Sequence, residues 1–329
     1  MRSDLTRRTA LLGPLAACAG ILISPRPSGA AWPERIIKLI VGGAAGSVPD
    51  SLARLAADAL SKKLGRPVII ENKPGAGGIV AIQSLIGSTP DGYTLALATI
   101  SQTVYNSYLY TKLSYDPRRD LAAVSTLAAT ASILVANPTV LATTLKDLVA
   151  ESQAQPDRFM IGIPANGSPP HIAAVLLMRE TGLKATFIPF RSGPDALQAL
   201  LRGDIQLLVD GPTLLAPHVV ERKIKAFVAL AGRRESVLPN VSTIAEAGFP
   251  GATSESWMGL VAPRETPSDI VHALAKATGA ILANAAYRDS LERISVRPTA
   301  SSPEEFTALL QREHERWSPI LRTAGIKLD

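Results

Sequence analysis

Ile36-Ile37-Lys38-Leu39-Ile40-Val41-Gly42-Gly43-Ala44-Ala45-Gly46-Ser47-Val48-Pro49-Asp50 is the stretch that decides how this 329-residue chain folds. A β-branched run empties into a loop of small residues. Beyond Asp50, apolar side chains recur at helical spacing: Leu52, Leu55, Ala56, Ala59 and Leu60 share one face, and Gly65 followed by Pro67 ends the pattern. Strand, small-residue loop and helix N-terminus in that order can hold an anion with main chain alone, because first-turn N–H groups lack helical partners and sit at the positive end of the dipole. A tight strand-to-helix turn without a ligand reads equally well here. No Lys follows the glycines as a P-loop requires, and G-x-G-x-x-G is absent.

The same logic recurs downstream. Met160–Ile163 leads into Pro164-Ala165-Asn166-Gly167-Ser168-Pro169-Pro170-His171, and a helix follows to about Thr181 with Ala174, Val175 and Met178 expected inward. Two such loops on two lobes would close on one anion. Around them, further strands are expected at Val68–Glu71, Thr94–Ala98, Ile133–Ala136, Thr186–Ile188, Ile205–Val209, Ala226–Leu230, Met258–Ala262 and Val296–Thr299. A last helix from about Pro303 carries Phe306, Leu309, Leu310 and Trp317. Strands alternating with helices indicate an α/β protein with mainly parallel sheets.

Before all this, residues 1–31 read as an export leader. Arg2, Arg7 and Arg8 precede an apolar stretch from Thr9 to Ile23, and Ser28-Gly29-Ala30-Ala31 offers small residues for cleavage. Arg7-Arg8 loosely resembles a twin-arginine signal, and Leu15-Ala16-Ala17-Cys18 a lipoprotein box, although the apolar run continues past Cys18. The expected location is the periplasm. Cys18 is the only cysteine, so the mature chain has neither disulfide nor thiol chemistry. Four arginines and one aspartate leave with the leader, lowering the net charge from +6 to +3. The excess is dispersed and has little aromatic interleaving, which argues against nucleic acid as a partner. About 300 residues suit two domains.

Catalytic patterns are sparse. His171, His218, His272 and His314 show no metal-ligand spacing, no G-x-S-x-G elbow occurs, and neither metal nor cofactor is expected. Ser168 and His171, three residues apart at a helix start, read as a cap and a first-turn side chain before they read as nucleophile and base. Asp50 in a first helical turn suits a cap or a ligand contact. Asp210 ends a β run ahead of Gly211-Pro212, where an open α/β sheet collects ligands and where an Asx turn is equally natural. Arg191, in Pro189-Phe190-Arg191-Ser192-Gly193-Pro194, is a surface arginine or a carboxylate clamp. Trp257 and Trp317 follow core periodicity.

Taken in order, several short motifs resemble the periplasmic solute receptors of tripartite tricarboxylate transporters, the TctC or Bug family. They are Trp32-Pro33-Glu34-Arg35-Ile36, Asp50-Ser51-Leu52-Ala53-Arg54, Glu71-Asn72-Lys73-Pro74-Gly75-Ala76-Gly77-Gly78, Pro90-Asp91-Gly92-Tyr93-Thr94-Leu95, Asn166-Gly167-Ser168-Pro169-Pro170-His171, Phe190-Arg191-Ser192-Gly193-Pro194 and the closing Ala324-Gly325-Ile326-Lys327-Leu328-Asp329. The resemblance implies a type II periplasmic-binding-protein fold: lobe one at 32–133 plus 254–329, lobe two at 134–253, joined by two crossover segments. It also implies a monomeric, non-enzymatic receptor that closes on a small organic carboxylate and hands it to membrane transporter subunits. A sensory role beside a signalling partner, or an exported hydrolase, is the alternative. The implied ligand contacts are Ala44, Ala45, Gly46, Ser47, Asp50, Ser101, Ala165, Asn166, Gly167, Ser168, His171 and Asp210. Three positions depart from the family pattern: Gly42-Gly43 stands where Pro and an aromatic are usual, Ser47 where a glycine is common, and Pro164 where a small polar residue is usual.

Overall fold

A computed structural model describes residues 32–328. The expected leader, with its arginine pair and Cys18, therefore lies outside the described residues. The chain runs β1 (Ile37–Val41), α1 (Val48–Leu64), β2 (Val68–Asn72), a 3-10 turn (Ala76–Gly78), α2 (Ile79–Ile86) and β3 (Thr94–Thr99). A π-helical turn (Ser101–Tyr105) then leads into α3 (Asn106–Leu109), α4 (Pro117–Asp120) and β4 (Leu121–Ala131). Next come β5 (Ile133–Ala136), α5 (Leu145–Ala154), β6 (Met160–Ile163), α6 (Pro169–Thr181), β7 (Thr186–Pro189), α7 (Gly193–Arg202), β8 (Leu207–Asp210), α8 (Pro212–Val220) and β9 (Lys225–Ala229). The chain closes with β10 (Glu255–Pro263), α9 (Ser268–Leu282), α10 (Ala285–Arg293), β11 (Arg297–Pro298) and α11 (Pro303–Thr323).

These strands form two sheets, one per lobe: β11-β4-β10-β3-β1-β2 and β7-β6-β8-β5-β9. The two-lobe α/β class stands, but the sheets are mixed rather than mainly parallel. The pairs β1·β2, β1·β3, β6·β7 and β6·β8 are parallel, whereas every pairing beyond β3 and β8 is antiparallel. The cause is the crossover. β4 passes through the single residue Ser132 into β5, so one nearly continuous extended segment serves both sheets, and no helix reverses its direction as a parallel connection needs. The second crossover lies beside the first: Leu230 N–H donates to Ser132 O and Ser254 N–H to Leu230 O, each at 2.8 Å.

Lobe two is a sandwiched sheet whose alternate residues feed two cores. Leu134, Ile161, Leu207 and Val209 face one side, while Ile133, Val135 and Leu208 meet Leu197 and Leu200 of α7 and Leu215 of α8 on the other. Helix α6 departs from the expected amphipathic pattern. Ile172, Ala173, Ala174, Leu176 and Leu177 are buried, and the expected Val175 and Met178 are only half-buried. The helix touches both lobes: Ile172 and Leu176 join the lobe-one core with Ile40, Tyr105, Leu109 and Trp317, while Ala173, Ala174 and Leu177 join the lobe-two core. Each of the two large lobe-one contacts buries apolar area worth about 1.5–3 kcal/mol. Trp257 and Trp317 are core residues, edge-on to Phe306 and Tyr105 at 5.2 and 5.1 Å.

Candidate functional site

Register sets the geometry. Val41, Asn72 and Leu97 are neighbours at one end of the lobe-one sheet, so the segments after β1, β2 and β3 leave from one edge. In lobe two, Ile163 pairs with Pro189 and Gly162 with Leu208, so the loops after β6, β7 and β8 also share an edge. The two edges meet: Ser101 Oγ, from the π-helical turn, donates to Gly167 O at 3.3 Å.

The two small-residue loops have the same construction. Ser47 and Ser168 are N-caps whose hydroxyl oxygens accept the N–H of Asp50 and His171, both at 3.4 Å. Gly46 and Gly167 stand one residue before each cap with φ of 82° and 72°, a conformation costly for any side-chain-bearing residue. Each glycine N–H is then taken by the side chain at the third helical position. Gly46 N–H donates to Asp50 Oδ2 at 2.9 Å, and Gly167 N–H to His171 Nδ1 at 3.0 Å. Those two N–H groups brace their own loops, and the open surface of the loops is left to Ala44, Ala45, Gly46, Ala165 and Asn166, all exposed.

Asp50 is 2 % exposed, and both of its carboxylate oxygens are engaged. Besides Gly46, it accepts from Arg54 Nε and Nη2 at 2.9 and 3.0 Å and from Asn72 Nδ2 at 2.9 Å. Burial works against its charge, but the Arg54 guanidinium, the Gly46 N–H and the Asn72 amide outweigh burial and hold the carboxyl below its usual range. His171 lies edge-on to Phe187 at 5.0 Å, and burial pushes its pKa down to about 4. Its Nδ1 therefore stays an acceptor at neutral pH. Ser168 Oγ donates to Ala165 O at 2.8 Å, so Ser168 and His171 form a cap and not a nucleophile–base pair.

Asp210 stands apart. Its Oδ1 accepts Gly211 N–H at 2.7 Å, and its Oδ2 is sealed from solvent without a partner. The carboxylate faces the first turn of α7, where a Cβ on Gly193 would lie 2.4 Å from Oδ2 and 2.9 Å from Leu214 Cδ2. Burial raises its pKa to about 6. Asp210 thus shares the sheet edge with the 164–168 loop, but its carboxylate is turned into lobe two. Arg191 is exposed on the β7–α7 loop of that edge. Arg54 and Asn72, which hold the Asp50 carboxylate, were not among the expected site residues.

Two cavities lie away from these loops. One of about 570 Å³ lies between β4, β10, β11 and α11, and another of about 500 Å³ flanks β9. Among the described residues no cluster of three His, Cys, Asp or Glu residues could hold a metal, and no helix is long and apolar enough to cross a membrane.

Comparison with known proteins places the chain in a family. The family model described as the tripartite tricarboxylate transporter family receptor matches residues 52–326. A Cupriavidus necator protein, named for its place in the gbd 5′ region, is 31% identical over 95% of this chain and 96% of its own length. A Rhodopseudomonas palustris protein solved with adipate superposes with a TM-score of 0.83 at 30% identity, covering 90% of this chain and 99% of that one. MatC from the same organism, solved with bound malate, gives a TM-score of 0.79 at 31% identity over 88% and 99% of the two chains.

Proposed function

Since the chain belongs to the tripartite tricarboxylate transporter receptor family, we propose that it is a periplasmic receptor that closes its two lobes, residues 32–133 with 254–329 and residues 134–253, on a small organic carboxylate. Delivery of that acid to membrane transporter subunits completes the function. The observation that carries the proposal is the contact across the two sheet edges, in which Ser101 of the π-helical turn, on the edge that also carries the 42–50 loop, donates to Gly167 of the other lobe's braced loop. Each loop presents a capped helix N-terminus, and a helix dipole attracts negative charge over about its first turn.

The adipate and malate held by the two R. palustris relatives support a carboxylate as the class of guest. Closure follows from differential binding, because only the closed form lets both loops face one anion. Loop bracing by Asp50 and His171 keeps this site rigid in both states, so binding does not have to order it. Titration calorimetry and thermal shift against malate, adipate and related acids test the proposal. Saturable binding with a rise in melting temperature is expected. Folded protein, stripped of carried-over ligand and stabilised by none of these acids, would reject it.

A further inference from the structure

Lobe two carries a further feature at the pole away from the site loops. In its sheet, β9 is the outermost strand. Ala229 pairs with Ile133 beside Asp210, on the edge that meets lobe one, whereas Lys225 pairs with Ala136 at the opposite end. The outer side of β9 is covered only at Ala229, which bridges to Thr243: its N–H donates to Ser242 O at 2.9 Å and its carbonyl accepts Ile244 N–H at 2.8 Å. Among the described residues no strand lies beyond residues 225–228. The cavity of about 500 Å³ flanks this open length.

Edge strands usually carry charge, proline or a cover that discourages a further strand. Here apolar side chains flank the open length on both faces. Half-buried Phe227 packs on one core of lobe two, and half-buried Ala226, Val219 and Val241 pack on the other. Leu141 and Val220, each next in sequence to a lining residue, are 78 % and 69 % exposed, more than any other large apolar side chain among the described residues. The charge in the groove has one sign, because Arg222 and Lys225 line it and no acid does. Lys225 Nζ donates to Val140 O at 2.6 Å, and the adjacent Glu221 carboxylate is taken by Lys223 at 2.8 Å. Among the described residues neither lining cation has a carboxylate partner.

Arg222 is also held in an uncommon conformation. Its N–H donates to Val219 O at 3.0 Å and Lys223 N–H to His218 O at 2.9 Å, the pair of bonds that ends a helix on a left-handed residue, usually glycine. An arginine with φ of 58° stands in that place. Backbone strain of this kind clusters at ligand clamps.

We propose that this groove docks an extended acidic segment of a partner protein, which adds to β9 as a further strand, sets an apolar side chain into the cavity and places carboxylates against Arg222 and Lys225. Main-chain pairing supplies affinity in strand addition, and the pocket beside the strand supplies selection. A second copy of this chain fits less well, because its own β9, Lys225 to Ala229, brings no carboxylate to the groove. The proposal is independent of the carboxylate-receptor reading.

The probe is a random octapeptide library displayed on phage, selected on wild-type residues 32–329 and counter-selected on Arg222→Gly. Enriched sequences should alternate apolar residues with Asp or Glu. A fluorescent synthetic copy of the leading sequence should bind wild type, with affinity reduced about tenfold in both Arg222→Gly and Lys225→Met. N-methylation of one alternate set of peptide nitrogens should abolish binding, and N-methylation of the other set should not. Glycine suits the backbone at position 222, so Arg222→Gly should keep or raise the melting temperature, which separates lost docking from lost folding.

No acidic sequence enriched over the Arg222→Gly control overturns the proposal, as does binding that survives both N-methylated copies. Displacement of the peptide by malate or adipate overturns it too, by placing the peptide in the cleft. A wild-type dimer in sedimentation that Leu141→Asp dissociates would give the groove to a second copy and overturn the acidic partner.

Discussion

His171 and Asp210 titrate against each other, and the structure gives the sign and size of each effect. The His171 pKa is about 4 in the fold against an ordinary 6.5, so the unfolded chain takes up its proton first and stability is lost as pH falls through this window. Between pH 7 and 5 that loss is about 2 kcal/mol. Asp210 has the opposite sign. Its pKa of about 6 in the fold against an ordinary 3.8 means the folded chain protonates first, which gains about 1 kcal/mol over the same interval. In wild type the two oppose each other.

Single isosteric substitutions should separate them. Asp210→Asn removes the compensating gain and exposes the loss of about 2 kcal/mol, whereas His171→Asn keeps an acceptor for Gly167 N–H and exposes a gain of about 1 kcal/mol. Urea denaturation at pH 7 and pH 5 reads both, and titrations elsewhere drop out of the comparison because the sites do not touch. Identical pH dependence in all three proteins would refute the assignment of His171 as a neutral loop brace and of Asp210 as a sealed carboxylate.

Four other outcomes follow from single contacts. Asp50→Ala takes the acceptor from Gly46 N–H and Asn72 and should cost about 2 kcal/mol, with weaker acid binding measured by calorimetry. Arg54 is mostly exposed, so its own replacement by Ala should lower the urea midpoint less than Asp50→Ala does. Gly193→Ala drives a methyl into Asp210 Oδ2 and Leu214 and should destabilise by about 1–3 kcal/mol, read as a lower urea midpoint. Ser101→Ala removes the hydroxyl that joins the two lobes at Gly167 and should weaken ligand affinity about fivefold without changing the urea midpoint.

The parts of the fold that alternate locally were legible in the chain. Ile133–Ala136 and Met160–Ile163 were read residue for residue, because β-branched or apolar runs bounded by turn residues have few other readings. The long strand β4 was missed. Leu121-Ala122-Ala123-Val124-Ser125-Thr126-Leu127-Ala128-Ala129-Thr130-Ala131 is rich in alanine, a helix former, and is held extended by β10 and β11. The inward face of α6 was misjudged for a related reason: a helix gripped by two lobes has no solvent stripe to reveal its orientation. In the site, the Ser168 cap was visible because Ser followed by Pro is a helix-start pattern, whereas at α1 the cap was expected at Asp50 and is Ser47, three residues earlier. The bracing partners were not, since Gly46 to Asp50 and Gly167 to His171 depend on the loop's three-dimensional turn.

Distance between the lobes under ligand is the most direct measurement available. Residues 32–329 contain no cysteine, so in protein beginning at Trp32 Asp58→Cys on α1 and Leu141→Cys on lobe two, both well exposed, accept spin labels without interference. Two-lobe closure predicts a distance distribution that narrows and shifts as malate or adipate is added, saturating at the stoichiometry found by calorimetry. An acid that binds one-to-one while the distribution stays the same would contradict it.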